Sequence, residues 1–193
     1  MDHRLPEQSA GDDASSLFDR LLLVQARSLQ LIDSARGVVQ QKFAGTGQKV
    51  AASNGVTHGD ASFIGAAVAA VGAVPRYIAA AQQHKALVAF WDLQKEVIAY
   101  QAATPEHMST LAFHPSGSLL FAGSKSGCLY CWQLNGVLPL PNDALCPRAS
   151  EGASLLRRCW PAHYGECAAL LVQDDRVTSA GVDGSIKQIS LYE

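Results

Sequence analysis

Short apolar runs separated by tight turn signals organise the sequence between residues 107 and 134. Three runs rich in Leu, Phe, Ala, Tyr and Cys are divided at Pro115-Ser116-Gly117 and at Lys125-Ser126-Gly127. Proline fixes φ early in a turn, and glycine accepts the positive φ that other residues resist. The pattern predicts an antiparallel meander of three strands. Such a sheet is not stable alone, so it requires neighbouring sheets on its apolar faces.

A similar pattern of short apolar runs begins at Leu17. Leu21–Val24 is a continuous apolar run suited to a strand that is buried on both faces, and residues 29–31 alternate. A helix over residues 18–32 is the alternative, because Leu and Arg favour helices and periodicity alone does not decide short runs. The turn signal at residues 33–37 links two strand-like runs, and we therefore favour strands.

A further group of strand-like runs follows in the sequence, at residues 63–71, 76–83, 87–93 and 96–100. Its alanine content would support a helix on propensity alone. Gly65, Gly72 and Pro75 argue against a continuous helix, because proline and glycine interrupt helices. A last group of runs begins at residue 154 and has turn signals at Asp174-Asp175 and Asp183-Gly184.

Three segments lack this pattern. Residues 1–14 have the polar, acidic composition of a disordered tail. Residues 45–61 are rich in Gly, Ser, Thr and Asn, and residues 136–154 contain three prolines. We predict exposed loops for both, and the length of the second marks it as an insertion rather than a hairpin turn.

The overall composition narrows the classes of partner. The formal net charge is -2, and 17% of the residues are charged. This balance gives no reason to expect attraction to nucleic-acid phosphates or to anionic lipid. The N-terminal segment lacks the apolar core of a signal peptide, and no run of apolar residues is long enough to span a membrane. We therefore expect a soluble, intracellular protein with no membrane partner.

The cysteines are candidates for metal or redox chemistry. There are five, an odd number without a secretory signal, which favours reduced thiols over a disulfide framework. Cys128 and Cys131 form a CxxC pair within a predicted strand, where a spacing of three residues puts the side chains on opposite faces. We predict buried small residues there, with no metal site and no cofactor.

Three other features suggest chemistry that the sequence does not support. Residues 45–49 resemble a phosphate-binding loop, but the strict GxxxxGK[ST] spacing is absent. His163 lies near Glu166, yet no nucleophile with an oxyanion-hole turn is evident, so we predict no catalytic residues. Arg157 and Arg158 beside Trp160 are the only basic cluster, and an exposed outer strand explains them as well as RNA binding does.

The strand groups repeat. Trp91 and Trp132 are 41 residues apart at corresponding points of two groups, and repeats of about 40–45 residues are typical of propeller blades. Trp91-Asp92 is also the Trp-Asp dipeptide of such repeats. Period, dipeptide and turn signals agree, and the chain resembles the WD-repeat family.

The resemblance implies an all-β fold: a partial propeller over residues 15–193, built from about three four-stranded antiparallel blades. The blades are expected at residues 17–95, 96–135 and 154–193. Blades of this family carry a buried hydrogen-bonded set of His, Ser or Thr, Asp and Trp. The matching residues are His163, Ser179, Asp183 and Ile189 in the third blade, and His107, Ser124, Ser126 and Trp132 in the second. Each set is incomplete, and we expect these residues to stabilise blades rather than to perform chemistry.

Within the family, the Trp91-Asp92-Leu93 strand, the Ala162-His163-Tyr164 segment and the turn at residues 181–184 are similar to the WD-repeat subunits of the nuclear RIX/PELP complex. That complex accompanies precursors of the large ribosomal subunit together with the midasin ATPase. The resemblance implies a non-catalytic scaffold in large-subunit biogenesis and rRNA processing. Its partners would be other protein subunits and the pre-ribosomal particle, in the nucleus, without direct RNA contact. A cytoplasmic location is expected if this narrower resemblance fails.

Other WD-repeat adaptors remain an alternative, such as a substrate receptor of a ubiquitin ligase or a vesicle-coat component. Partner contacts are expected at the turns, for example at His84, Lys85, Lys125 and Asp183. Three blades cannot close a ring, so two sheet edges are expected to be unpaired. Either the chain is a truncated propeller or it pairs with another chain, and truncation needs fewer assumptions.

Overall fold

The computed structural model describes residues 20–25, 28–44, 62–71, 74–95, 97–135, 138 and 156–191. The predicted tail at residues 1–14 and the loop at 45–61 lie outside them, as does nearly all of the loop at 136–154. The regular structure of the described residues consists of fourteen strands: β1 (Arg20–Gln25), β2 (Ser28–Asp33), β3 (Val38–Ala44), β4 (Phe63–Val71), β5 (Val74–Gln82), β6 (Leu87–Asp92), β7 (Val97–Ala103), β8 (Met108–Phe113), β9 (Leu119–Ser124), β10 (Cys128–Gln133), β11 (Leu156–Pro161), β12 (Cys167–Gln173), β13 (Arg176–Gly181) and β14 (Ile186–Ser190). No helix in this part of the chain is long and apolar enough to cross a lipid bilayer.

The strands form four antiparallel sheets that follow one another in the sequence. Sheet I contains β1–β3, sheet II β4–β7, sheet III β8–β11 and sheet IV β12–β14. The all-β prediction is confirmed, and β8–β10 form the meander expected between residues 107 and 134. β1 and β2 are strands, so the alternative helix over residues 18–32 is wrong.

The turns form where the sequence supplies glycine or aspartate. Gly37, Gly117 and Gly127 have φ values of 65°, 71° and 93°, a region that a Cβ atom makes unfavourable. Before Gly37, the Asp33 carboxylate accepts hydrogen bonds from the backbone amides of Ala35 and Arg36, both at 3.0 Å. An aspartate that satisfies the amides of its own turn favours the reversal locally, before any tertiary contact forms.

The sheets divide the chain differently from the expected blades. β11 pairs with β10, so residues 156–161 are the last strand of sheet III instead of the first strand of a third unit. β7 likewise completes sheet II, and β1–β3 form a sheet of their own. The sequence identified these strands, but strand pairing across a long connection is not encoded in a local pattern.

The sheets stack face to face in chain order, and each inner sheet uses both of its faces. In sheet II, alternate residues of β5 and β6 point to opposite sides, as the two-residue period of a strand requires. Ile78, Ala80 and Trp91 pack against Leu29, Leu31 and Phe43 of sheet I. Tyr77, Ala79 and Phe90 pack against a group from sheet III: Met108, Leu111, Leu120, Ala122, Tyr130 and Trp132.

The opposite side of sheet III packs against sheet IV. Phe121 and Cys131 contact Val172 and Val177, and a second cluster contains Leu129, Ala162 and Cys167. The first strands of neighbouring sheets also contact each other: β1 contacts β4, β4 contacts β8, and β8 contacts β12. The first strand of every sheet therefore lies on the same side of the stack.

The strand register places the repeated residues at equivalent positions. Trp91 is opposite Ile78, Trp132 is opposite Leu120, and Ile189 is opposite Val177. Both tryptophans are buried and face the preceding sheet. The rings of Phe63 and Trp91 are nearly perpendicular, with their centroids 5.5 Å apart. The tryptophans are thus packing residues at the joints between sheets.

Candidate functional site: polar networks between the sheets

A buried histidine joins the loop between β11 and β12 to sheet IV. The Nε2 atom of His163 is 2.8 Å from the Ser179 hydroxyl, in the middle of β13. Its Nδ1 atom is 3.0 Å from the Ser185 hydroxyl and 3.3 Å from an oxygen of Asp183. The imidazole is fully buried, so each of these contacts replaces one that water would otherwise provide. The structure therefore brings His163, Ser179 and Asp183 together.

Asp183 holds two backbone segments in place. Its carboxylate accepts hydrogen bonds from the amide of Tyr164 at 2.9 Å, and from the amide and hydroxyl of Ser185 at 3.0 and 2.8 Å. These backbone donors lower the pKa of Asp183 well below its ordinary value, because they favour the charged carboxylate. Next to it, the amide of Val182 donates to the Glu166 carbonyl at 2.9 Å. The turn after β13 is thereby fixed to the loop before β12.

The lowered pKa of Asp183 predicts a pH dependence of stability. A carboxyl group with a depressed pKa in the folded protein contributes stability above its unfolded pKa, near the ordinary 3.8, and loses that contribution as the pH falls toward the folded value. We expect wild type to be more stable than Asp183→Asn at pH 7, and the difference to shrink as the pH falls below about 4. Urea unfolding of both proteins between pH 7 and pH 2.5 measures it. A difference that is constant across this range would contradict the prediction.

Sheet III has a different polar network. Ser124, which the sequence matched to Ser179, does not occupy the equivalent position. Ser179 is opposite Lys187, and the residue with the same relation to Tyr130 is Ala122. The Ser124 hydroxyl instead accepts from the amide of Cys128 at 3.0 Å and lies 3.1 Å from the Ser126 hydroxyl. Ser124 therefore stabilises the turn after β9.

In sheet III, Glu106 links the loop before β8 to the turn after β9 and to β10. The hydroxyls of Ser126 and Tyr130 donate to its carboxylate at 2.8 and 2.7 Å. Burial alone would raise the pKa of Glu106, but these hydrogen bonds outweigh burial and lower it. Burial and the bond to Glu106 raise the pKa of Tyr130, which stays a neutral donor. The neighbouring His107 is half-buried, and its Nδ1 atom has no hydrogen-bond partner among the described residues.

The Trp-Asp dipeptide ends β6 in sheet II. Asp92 is almost fully buried and forms a salt bridge with Arg76 at 3.1 Å. Its second oxygen accepts from the amides of Gln94 and Lys95 at 2.9 and 3.2 Å. Asp92 thus closes the turn between β6 and β7, and nothing in this arrangement leaves it available for a ligand.

A close backbone contact joins the turn before β10 to the loop between β11 and β12. The carbonyl of Gly127 accepts hydrogen bonds from the amides of Ala162 and His163, at 3.1 and 2.9 Å. A Cβ atom on Gly127 would lie 2.2 Å from the His163 carbonyl oxygen. On the neighbouring strands, the Ser109 hydroxyl lies 2.5 Å from the carbonyl oxygen of Cys167 and 3.1 Å from that of Gly123. The contact at Gly127 leaves no room for a side chain unless the backbone shifts.

The His163 network has the residue types and spacing of a hydrolytic triad, with Ser, His and Asp in hydrogen-bonding range. A catalytic serine must reach the substrate. Ser179 is 1% exposed and lies within a paired strand, packed beneath the loop that carries His163. The arrangement is suited to stabilising the joint and not to attacking a bound substrate.

The cysteines of the CxxC motif point to opposite faces of β10. Cys131 is buried between sheets III and IV, whereas Cys128 packs against the core between sheets II and III. Burial raises the pKa of the Cys131 thiol to about 11, and it raises that of Cys167 to about 11 as well. Both thiols are therefore protonated at neutral pH and are poor nucleophiles. Within the described residues, no group of three His, Cys, Asp or Glu side chains is arranged to hold a metal ion.

Comparison with known proteins finds similarity over part of the chain. No protein-family model matches the chain. Over 123 residues the chain is 28% identical to telomerase protein component 1 of Mus musculus, an alignment that covers 49% of this chain. It covers 5% of that protein, so the chain spans about a twentieth of the length of this relative.

Proposed function

We propose that this protein is a non-catalytic scaffold of the WD-repeat β-propeller type that mediates protein–protein interactions. The observation that carries the proposal is the repeated register of the sheets, in which Trp91, Trp132 and Ile189 occupy equivalent positions. Face-to-face stacking in chain order, with the first strands side by side, is what the blades of a propeller require. The network of His163, Ser179 and Asp183 supports the same assignment.

We further propose a role in large ribosomal subunit biogenesis and rRNA processing in the nucleus. This part of the proposal rests on the similarity of the sequence to the WD-repeat subunits of the RIX/PELP complex. Its partners would be other protein subunits and the pre-ribosomal particle. Direct contact with RNA is not part of the proposal, since Arg157 and Arg158 are neighbours on a single outer strand, where successive side chains point to opposite faces.

The turns after the second strand of each sheet are the best candidates for partner contacts. His84 and Lys85 in sheet II, Lys125 in sheet III and Val182 in sheet IV are exposed and lie at the corresponding end of their sheets. Tyr164 is 93% exposed beside Val182, on a backbone that Asp183 holds in place. An exposed aromatic side chain on a fixed backbone segment is a typical contact residue in protein interfaces.

The proposal is tested by affinity purification of the tagged full chain from cells. We expect recovery of large-subunit precursor particles and of their unprocessed rRNA. Recovery of a cullin adaptor or of vesicle-coat subunits instead would favour a different WD-repeat adaptor.

The turn surface can be tested in the same assay. We expect Lys85→Glu combined with Lys125→Glu to reduce recovery at least about threefold, because exposed charges at an interface direct association. Lys95→Glu with Lys187→Glu is the matched control, since these exposed lysines lie away from the turns that follow the second strands. Equal losses in both pairs would show that net charge, and not this surface, determines binding.

A further inference from the structure

The two outermost sheets each leave one face uncovered by the described residues. On sheet IV, Leu171 is 53% exposed and Ile186 is 75% exposed. On sheet I, Leu21, Leu23 and Val39 are 61%, 41% and 46% exposed. Leu22 and Val24 point to the other side of β1 and pack toward sheet II, so the exposed residues belong to the outer face.

The uncovered face of sheet IV is equivalent to faces that are buried elsewhere in the stack. By strand register, Ile186 corresponds to Leu129 in sheet III and to Val88 in sheet II. Both of these residues are 1% exposed because the following sheet covers them. Leu171 corresponds to Ala112 and Ala67, which also pack toward the following sheet.

The chain itself contains the kind of surface that would cover this face. We call the face of a sheet that points toward the next sheet in the sequence its forward face, and the face that points toward the preceding sheet its rear face. At each of the three joints, the forward face of one sheet meets the rear face of the next. Sheet IV leaves a forward face uncovered, and sheet I leaves a rear face uncovered. Polar residues are also present, such as Thr178 and Gln188 on sheet IV, which are hydrogen-bonded at 3.3 Å. A mixture of apolar and polar side chains is ordinary for an interface between separately folded chains.

We propose that two copies of this chain associate head to tail, with sheet IV of each copy packed on sheet I of the other. The contact continues the joint that already repeats within the chain, and two such contacts related by a two-fold axis close the assembly. Closure covers all four outer faces, whereas an open head-to-tail series would always leave two uncovered. The inference requires only the stacking of the sheets and would survive failure of the proposed role in ribosome assembly.

The oligomeric state of the full chain in solution is the first test. Size-exclusion chromatography with light scattering is expected to give twice the mass of the chain. Leu171→Asp with Ile186→Asp, and separately Leu21→Asp with Leu23→Asp, are expected to give monomers, with the dissociation constant raised at least about a hundredfold by the unpaired charges. Val182→Asp and Val38→Asp are matched controls, because these exposed valines lie outside the two faces.

Mixing the two double variants tests the head-to-tail arrangement directly. Each variant retains one intact face, and the two intact faces are of opposite kinds, so a one-to-one mixture is expected to form a heterodimer through a single contact. A far-UV circular dichroism spectrum like that of wild type, with a cooperative thermal transition, would show that the sheets of each separate variant still fold. A monomeric wild type, an open series of larger species, or a dimer that survives both double variants would overturn the proposal. Self-association of the Leu21/Leu23 variant alone would also overturn it, by indicating a contact between two sheet IV faces.

Discussion

Gly127→Ala is expected to destabilise the protein by about 3 kcal/mol or more. Two causes add. Gly127 has a φ of 93°, where a Cβ atom is strained. The new methyl would also lie 2.2 Å from the carbonyl oxygen of His163 and 2.5 Å from that of Gly165. These contacts are with backbone atoms, so relief requires the loop between β11 and β12 to move away from the turn before β10. The urea midpoint measures the loss.

Gly184→Ala and Gly37→Ala separate the two causes. Both glycines have positive φ, at 77° and 65°, but a Cβ atom on either would meet nothing within 4 Å. We expect each control to cost about 1–2 kcal/mol, which is the backbone strain alone. The excess in Gly127→Ala is then the cost of moving this loop away from the turn before β10. If all three variants lose the same stability, the close approach of the backbones at Gly127 does not contribute.

The strands and turns of this fold could be predicted from the sequence because their causes are local. Short apolar runs between turn signals identified β8–β10, and Gly117 and Gly127, which have positive φ in the structure, marked the turns. The opposite orientations of Cys128 and Cys131 also followed from strand geometry. Each of these inferences uses neighbours within a few residues, where the backbone itself fixes the answer.

The assignment of strands to sheets could not be predicted in the same way. β11 was recognised as a strand, but its partner β10 is separated from it by a long connection. Nothing in the residues Leu156–Pro161 distinguishes the last strand of one sheet from the first strand of the next. Such pairings are decided by the packing of whole sheets, which a local pattern does not contain.

The residues of the polar networks were also predictable only in part from the sequence. His163, Ser179 and Asp183 were found by resemblance to a repeated pattern, and the structure places them in contact. Glu106 and Tyr130 were missed, because their contact joins a loop to the middle of a strand. A signal was present in the sequence, since Glu106 precedes β8 in the kind of loop where His163 precedes β12. Ser124 was matched to Ser179 because it lies next to a turn. The strand register, which places Trp132 opposite Leu120, puts Ala122 at the equivalent position instead.

His163→Ala is expected to lower the free energy of unfolding by about 2–4 kcal/mol. The substitution removes a fully buried ring and leaves the Ser179 hydroxyl without its partner. It also withdraws one contact from Asp183, whose remaining bonds to the Tyr164 and Ser185 amides are unaffected. The protein should therefore unfold at lower urea concentration while still folding to the same structure, which circular dichroism can verify.

Two further variants identify the cause of the loss. Ser179→Ala should cost less, about 1 kcal/mol, because alanine occupies the equivalent positions Ala122 and Ala80 in the neighbouring sheets and only the hydrogen bond is lost. His84→Ala, at an exposed turn, should change stability by less than about 0.5 kcal/mol. If His163→Ala leaves the free energy of unfolding unchanged, the network does not stabilise this joint. A lost enzymatic rate at unchanged melting temperature would instead give His163 a catalytic role, in conflict with the burial of Ser179.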